Sequence, residues 1–127
     1  KIHDLIPDVP LVMHGASSVP EELQDIINAH GGDIKPTWGV PVEEIQQGIK
    51  FGVRKVNVDT DLRMAMTGAI RKVLTGNPAE FDPRKYLAPS IKAMKSVCEQ
   101  RYESFGAAGR GSAIKALGLP EMVKVYY

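Results

Sequence analysis

Two short apolar segments, Pro10-Leu11-Val12-Met13-His14 and Val53 to Val58, stand about forty residues apart, and the stretch between them has helical periodicity. That spacing constrains the fold more than any other feature. Two strands joined by a helical crossover pair in parallel within one sheet. A parallel sheet needs cover on both faces, and two strands alone are too few to build one. The chain is therefore expected to form part of a larger α/β unit. Its opening on Lys1 rather than Met, with a strand about ten residues later, fits the same expectation.

Between the strands, Pro20 suits a first helical turn and Glu21 and Glu22 suit its positive end. Leu23, Ile26 and Ile27 supply the apolar stripe, and Gly31-Gly32 end it. Pro41 opens a second short helix with Val42, Ile45 and Ile49 on one face, ended by Gly52. After the second strand, Thr60 or Asp61 can cap a helix whose Leu62, Ala65, Met66, Ala69, Ile70 and Val73 follow helical spacing. Gly76-Asn77-Pro78 breaks it, and Asp82-Pro83-Arg84 reads as a turn. A further helix is expected from about Pro89 to Phe105, with Ile91, Met94, Cys98 and Phe105 inward, and a short one near Pro120.

The formal net charge over 127 residues is +1, so bulk electrostatics point to neither a nucleic-acid nor a membrane partner. The single cysteine, Cys98, precludes an internal disulfide and fits a reducing, cytoplasmic setting. No apolar run approaches the roughly 18 residues of a membrane span.

Three places carry candidate chemistry. His14 closes the first strand, at the end of a parallel sheet where ligands bind, and a neutral imidazole there suits zinc. Gly15, Ala16, Ser17 and Ser18 follow, small enough for backbone N–H groups to approach a phosphate near a helix start. A hydrogen-bonded structural histidine followed by an ordinary loop would leave the same trace. Asn57 and Asp59 alternate at the second strand's end and are expected on one side of it, with Val58 and Thr60 beside them. Helix capping accounts for part of that segment. Arg84 in a fixed turn suits bidentate phosphate binding, or is a solvated surface charge. His30 reads as a helix-end residue, His3 as solvated, and Trp38 as a packing anchor.

Taken together, these stretches resemble the class II, zinc-dependent fructose-bisphosphate aldolases. Pro10 to Pro20 resembles their seventh strand and its loop, and Gly52-Val53-Arg54-Lys55-Val56-Asn57-Val58-Asp59-Thr60-Asp61 their eighth. Gly31 to Lys35, Gly39 to Ile45, Phe81 to Tyr86 and Met94 to Cys98 resemble the Calvin-cycle-type bacterial subgroup.

The resemblance implies an α/β fold: the last two strands of a (β/α)8 barrel, about residues 1–76, followed by a helical arm over about 77–127. It implies reversible cleavage of fructose 1,6-bisphosphate to dihydroxyacetone phosphate and glyceraldehyde 3-phosphate, with zinc-assisted enediolate chemistry. His14 would be one of three zinc histidines, and a monovalent cation beside the phosphate loop belongs to the same pattern. Gly15, Ala16 and Ser17 would hold one phosphate, with family members often carrying a second Gly where Ala16 stands. Asn57 would stabilise the enediolate oxygens and Asp59 would orient substrate hydroxyls, while Val58 and Thr60 line the site. Arg84 would reach the other phosphate from a neighbouring subunit of a homo-oligomer. The remaining zinc ligands and the acid–base residues would lie on earlier strands, so an N-terminal portion of the same enzyme is an implied partner. The alternatives are a tagatose-bisphosphate aldolase, a non-catalytic barrel portion with an assembly role, and a metal-free phosphate-binding module.

Overall fold

The computed structural model describes residues 1–126. Strands β1 (Leu11–Met13) and β2 (Val53–Val56) pair in parallel, with Leu11 opposite Val53, Val12 opposite Lys55 and Met13 opposite Val56. The register shifts between Leu11 and Val12. Backbone bonds from Leu11 N to the Gly52 oxygen (3.0 Å) and from Asn57 N to the Met13 oxygen (3.0 Å) extend the pairing at each end. The second bond matters most here, because it fixes Asn57 beside His14.

A single helical turn, α1 (Ile2–Leu5), precedes β1 and was not legible in the pattern. His3 within it is half-buried against Gly52 rather than solvated. Gly52 has φ +97°, and a Cβ there would lie 2.6 Å from His3 Nδ1. Between the strands run α2 (Glu21–Ala29) and α3 (Val42–Lys50), as the periodicity requires. Their buried anchors are Ile27 and Ile45.

Helix α4 (Thr60–Gly76) follows β2 and packs on α2 and on α5 (Pro83–Ser104). Gly68 permits the close approach of α2: a Cβ would meet Ile26 Cγ2 at 2.9 Å. Ala16, Ile27, Ile45, Met64, Ala65 and Val97 form the small apolar core. Val12, in the middle of β1, remains 49% exposed, so one face of the sheet lacks cover.

Two expectations change. Helix α5 begins at Pro83, six residues before the expected start. The Asp82 side chain accepts from Arg84 N at 3.0 Å and Pro83 takes the first helical position, a complete start signal. Pro89 lies inside the helix, where it removes one donor; both it and Lys85, whose carbonyl loses that donor, are exposed. The inward face also differs, because Ile91 is 66% exposed while Ser90 and Val97 are buried. A short 3-10 turn (Gly111–Ala113) and α6 (Leu119–Tyr126) complete the described chain, with α6 near Pro120 as expected. No helix among the described residues is long and apolar enough to cross a membrane.

Candidate active site

The ends of β1 and β2 bring His14 and Asn57 together. Asn57 Nδ2 lies 2.8 Å from His14 Nδ1. Two hydrogen placements share that geometry. In one, the amide donates to Nδ1 and Nε2 carries the ring proton. With the amide rotated end for end, Nδ1 donates to its oxygen and Nε2 becomes the acceptor. His14 is exposed, so its ring is open to a ligand.

The loop after His14 turns back at once. Gly15 has φ +63°, a left-handed conformation that glycine adopts without strain. Gly15 is exposed, Ser17 half-buried, and Ala16 has no exposed surface. Ser17 Oγ accepts from Asp59 N (3.1 Å) and Thr60 N (3.0 Å), so this hydroxyl caps the start of α4 across the sheet. Val40 N donates to the Ser17 oxygen at 3.1 Å. Gly39 makes that approach possible, since a Cβ there would fall 2.0 Å from the same oxygen.

Val19 holds φ +50°, a strained value for a β-branched residue. Its surroundings enforce it: Val19 N donates to Asp61 Oδ1 at 2.8 Å, and the buried Gln24 donates through Nε2 to the Val19 oxygen at 3.1 Å. Gln24 also exchanges hydrogen bonds with the Thr37 backbone, tying the 33–41 segment to the same loop.

Asp61 is the principal feature that the sequence pattern missed. It has no exposed surface and accepts from Ser18 N (3.2 Å), Ser18 Oγ (3.1 Å), Val19 N, and Arg101 through Nε (3.3 Å) and Nη2 (2.9 Å). Arg101 Nη2 also donates to Ser18 Oγ at 2.6 Å. Burial alone would raise the Asp61 pKa, but the bonds from Val19, Arg101 and Ser18 outweigh it and hold the carboxyl below its ordinary value. Arg101, a charged residue four positions after the buried Val97, was the available sign of a buried partner.

The other expected residues are placed as follows. The regular strand stops at Val56, so the alternation expected to put Asp59 on the same side as Asn57 ends before it. Asp59 is the N-cap of α4, and its carboxylate accepts from Arg63 Nε at 2.8 Å, one turn along. Thr60 is exposed at the helix start. Val58 lines an open cleft of about 880 Å³ between β2 and the end of α5, with Val53, Val56, Cys98 and Tyr102. Neither His14 nor Asn57 lines that cleft. Arg84 is exposed and gripped by Asp82, with Nη2 donating to Oδ2 at 2.6 Å and Nε bridging both oxygens. This pairing lowers the Asp82 pKa and raises that of Arg84. His30 Nδ1 meets Thr75 Oγ1 at 2.8 Å, a structural tie from α2 to α4. Trp38 is 84% exposed and packs little.

The described residues hold no group of three or more His, Cys, Asp or Glu able to bind a metal. A catalytic zinc takes three protein ligands and keeps one open position. His14 thus fits such a centre as a single donor, with the others coming from outside the described residues.

Comparison with known proteins gives a consistent result. The family described as "Fructose-bisphosphate aldolase class-II" matches residues 1–110. The fructose-bisphosphate aldolase of Pseudomonas aeruginosa is 60% identical over 126 residues, which are 99% of this chain and 36% of that protein. Those of Rhizobium meliloti and Nostoc sp. are 57% and 56% identical over the same length, each over 35% of the relative. The chain spans about a third of the length of these curated relatives.

Proposed function

This chain belongs to the class II fructose-bisphosphate aldolase family, and from that premise we propose that it supplies one side of a lyase active site that cleaves fructose 1,6-bisphosphate reversibly. The observation that carries the proposal is the His14–Asn57 contact at the C-terminal ends of two parallel strands, directly before a glycine turn. In the complete enzyme, residues 1–76 would close the barrel and residues 77–127 would form its arm. The remainder of the barrel would cover the exposed face of β1.

His14 would be one ligand of a zinc ion. A ligand nitrogen must be unprotonated. That nitrogen is Nδ1 if the Asn57 amide turns to substrate, or Nε2 if the amide is rotated. Bound zinc would supply Lewis-acid polarisation of the substrate ketone. Asn57, beside that position, would donate its amide N–H to oxygen charge developing as the C3–C4 bond breaks. Gly15 and Ser17 would offer backbone N–H groups to a phosphate of the substrate, with the N-terminus of α4 favouring the same anion. Ala16 shapes that turn from its buried position. Asp59, with Val58 and Thr60, would order substrate hydroxyls after the carboxylate leaves Arg63. Arg84 would exchange Asp82 for the second phosphate in a neighbouring subunit. A monovalent cation beside the phosphate, a cytoplasmic location, and a Calvin-cycle or glycolytic role complete the reading.

The relatives named above are fructose-bisphosphate aldolases, which favours that sugar over tagatose bisphosphate. The test is cleavage of both bisphosphates by the full-length protein, before and after chelation and after zinc is restored. Fructose 1,6-bisphosphate cleavage that chelation removes and zinc returns is the expected result. Chelator-resistant activity, a preference for the tagatose sugar, or no cleavage would contradict the reading.

A further inference from the structure

Asp61 is the one charged side chain without exposed surface among the described residues, and the chemistry proposed above does not use it. All of its side-chain partners come from two places, Ser18 and Val19 in the loop after β1 and Arg101 on α5. The loop's other ties run to α2, α4 and the 33–41 segment. Among the described residues, Arg101 is therefore the side chain that ties the loop to α5.

We propose that Arg101 is a positioning residue for sugar phosphate, acting through Asp61 and Ser18 to set the loop 15–19; this rests on the loop being the phosphate site. The Asp61 carboxylate occupies the N–H groups of Ser18 and Val19, so it is already an anion bound by this loop. That leaves Gly15 and Ser17 for an external anion, which would then sit close to a buried negative charge. Arg101 offsets that charge with two N–H groups on Asp61 Oδ2 and fixes the Ser18 hydroxyl with a third contact. Its side chain is only 14% exposed, and its Nε and Nη2 are taken up by Asp61 and Ser18, so on the loop side it acts through these neighbours. Without it the loop would hold an uncompensated carboxylate, which repels phosphate and releases Ser18.

The test compares Arg101→Met, Arg101→Lys and Ser18→Ala in the full-length enzyme. Three readouts are needed: KM and kcat for fructose 1,6-bisphosphate, calorimetric affinity for inorganic phosphate, and thermal stability. Arg101→Met should weaken phosphate binding and raise KM together by about tenfold. Its kcat should change by less than about threefold, the pattern of lost ground-state binding. Arg101→Lys should recover part of the affinity, because the charge remains while the fork is lost. Ser18→Ala should shift both constants in the same direction by less, and decides the matter if Arg101→Met fails to fold. Folded variants with lowered melting temperature but unchanged KM and phosphate affinity would overturn the proposal and leave a structural ion pair. If the wild type binds phosphate but cleaves no bisphosphate, the functional reading fails, while calorimetry still decides the role of Arg101. A wild type that binds no phosphate would overturn both.

Discussion

Asn57 Nδ2 sits 2.8 Å from His14 Nδ1, bridging the ends of two strands whose residues lie 43 apart in sequence. The contact depends on the parallel register, because the Asn57 backbone N–H binds the Met13 oxygen and fixes where its side chain emerges. Asn57→Ala should lower kcat by about 10²- to 10³-fold, the usual loss when one donor to developing oxygen charge is removed. Bound zinc should stay at the wild-type level. Steady-state kinetics alongside metal analysis checks both, and metal lost with the amide would move Asn57 from chemistry to support of the ligand.

Ser17 Oγ satisfies two backbone donors at the start of α4. Ser17→Ala removes that cap and should destabilise the protein by about 1 kcal/mol. Denaturant unfolding of the full-length enzyme measures it, and an unchanged midpoint would show that solvent replaces the hydroxyl.

Gly39 faces the Ser17 oxygen with no room for a methyl group. The obstacle is backbone rather than a flexible side chain, so Gly39→Ala must displace the 33–41 segment or the loop. Such overpacking typically costs about 1–3 kcal/mol. Loss of stability together with raised KM is expected; wild-type values for both would mean that the two segments separate freely.

How far the sequence carried varied with the range of the interaction. The parallel pair, the crossover helices and α4 follow from local periodicity and from breakers such as Gly31 and Gly76, and the structure contains them. His14 and Asn57 were each read at a strand end, but their contact was not, because it depends on the register of the two strands. Asp61 was read as a cap because its position in the first turn of α4 fits that role. Its partner Arg101 lies 40 residues away on a helix whose start and inward face were both misread. Pro89 looks like a helix start when judged alone, and only the Asp82 cap shows that the helix has already begun. Burial of an ion pair depends on how α4 and α5 pack, which no local pattern encodes.

Asp61 also sets a pH dependence. Its folded pKa lies below the ordinary value of 3.8, so its contribution is present above that value and is lost as pH falls through the folded pKa. Asp61→Asn leaves Arg101 buried without its anion and should cost about 3–5 kcal/mol near neutral pH. The gap between wild type and variant should hold down to about pH 4 and narrow as pH falls below it, toward the folded pKa. Unfolding midpoints on both sides of that pH test it, and a constant gap would show that ionisation of Asp61 contributes nothing.

The central claim is that His14 holds the catalytic metal, and the most direct measurement is zinc per subunit and kcat for His14→Ala in the full-length enzyme. A folded protein with little retained zinc and turnover lowered by more than about 100-fold is the expected result. Wild-type zinc content in that variant would contradict it and return His14 to a structural role at the end of β1.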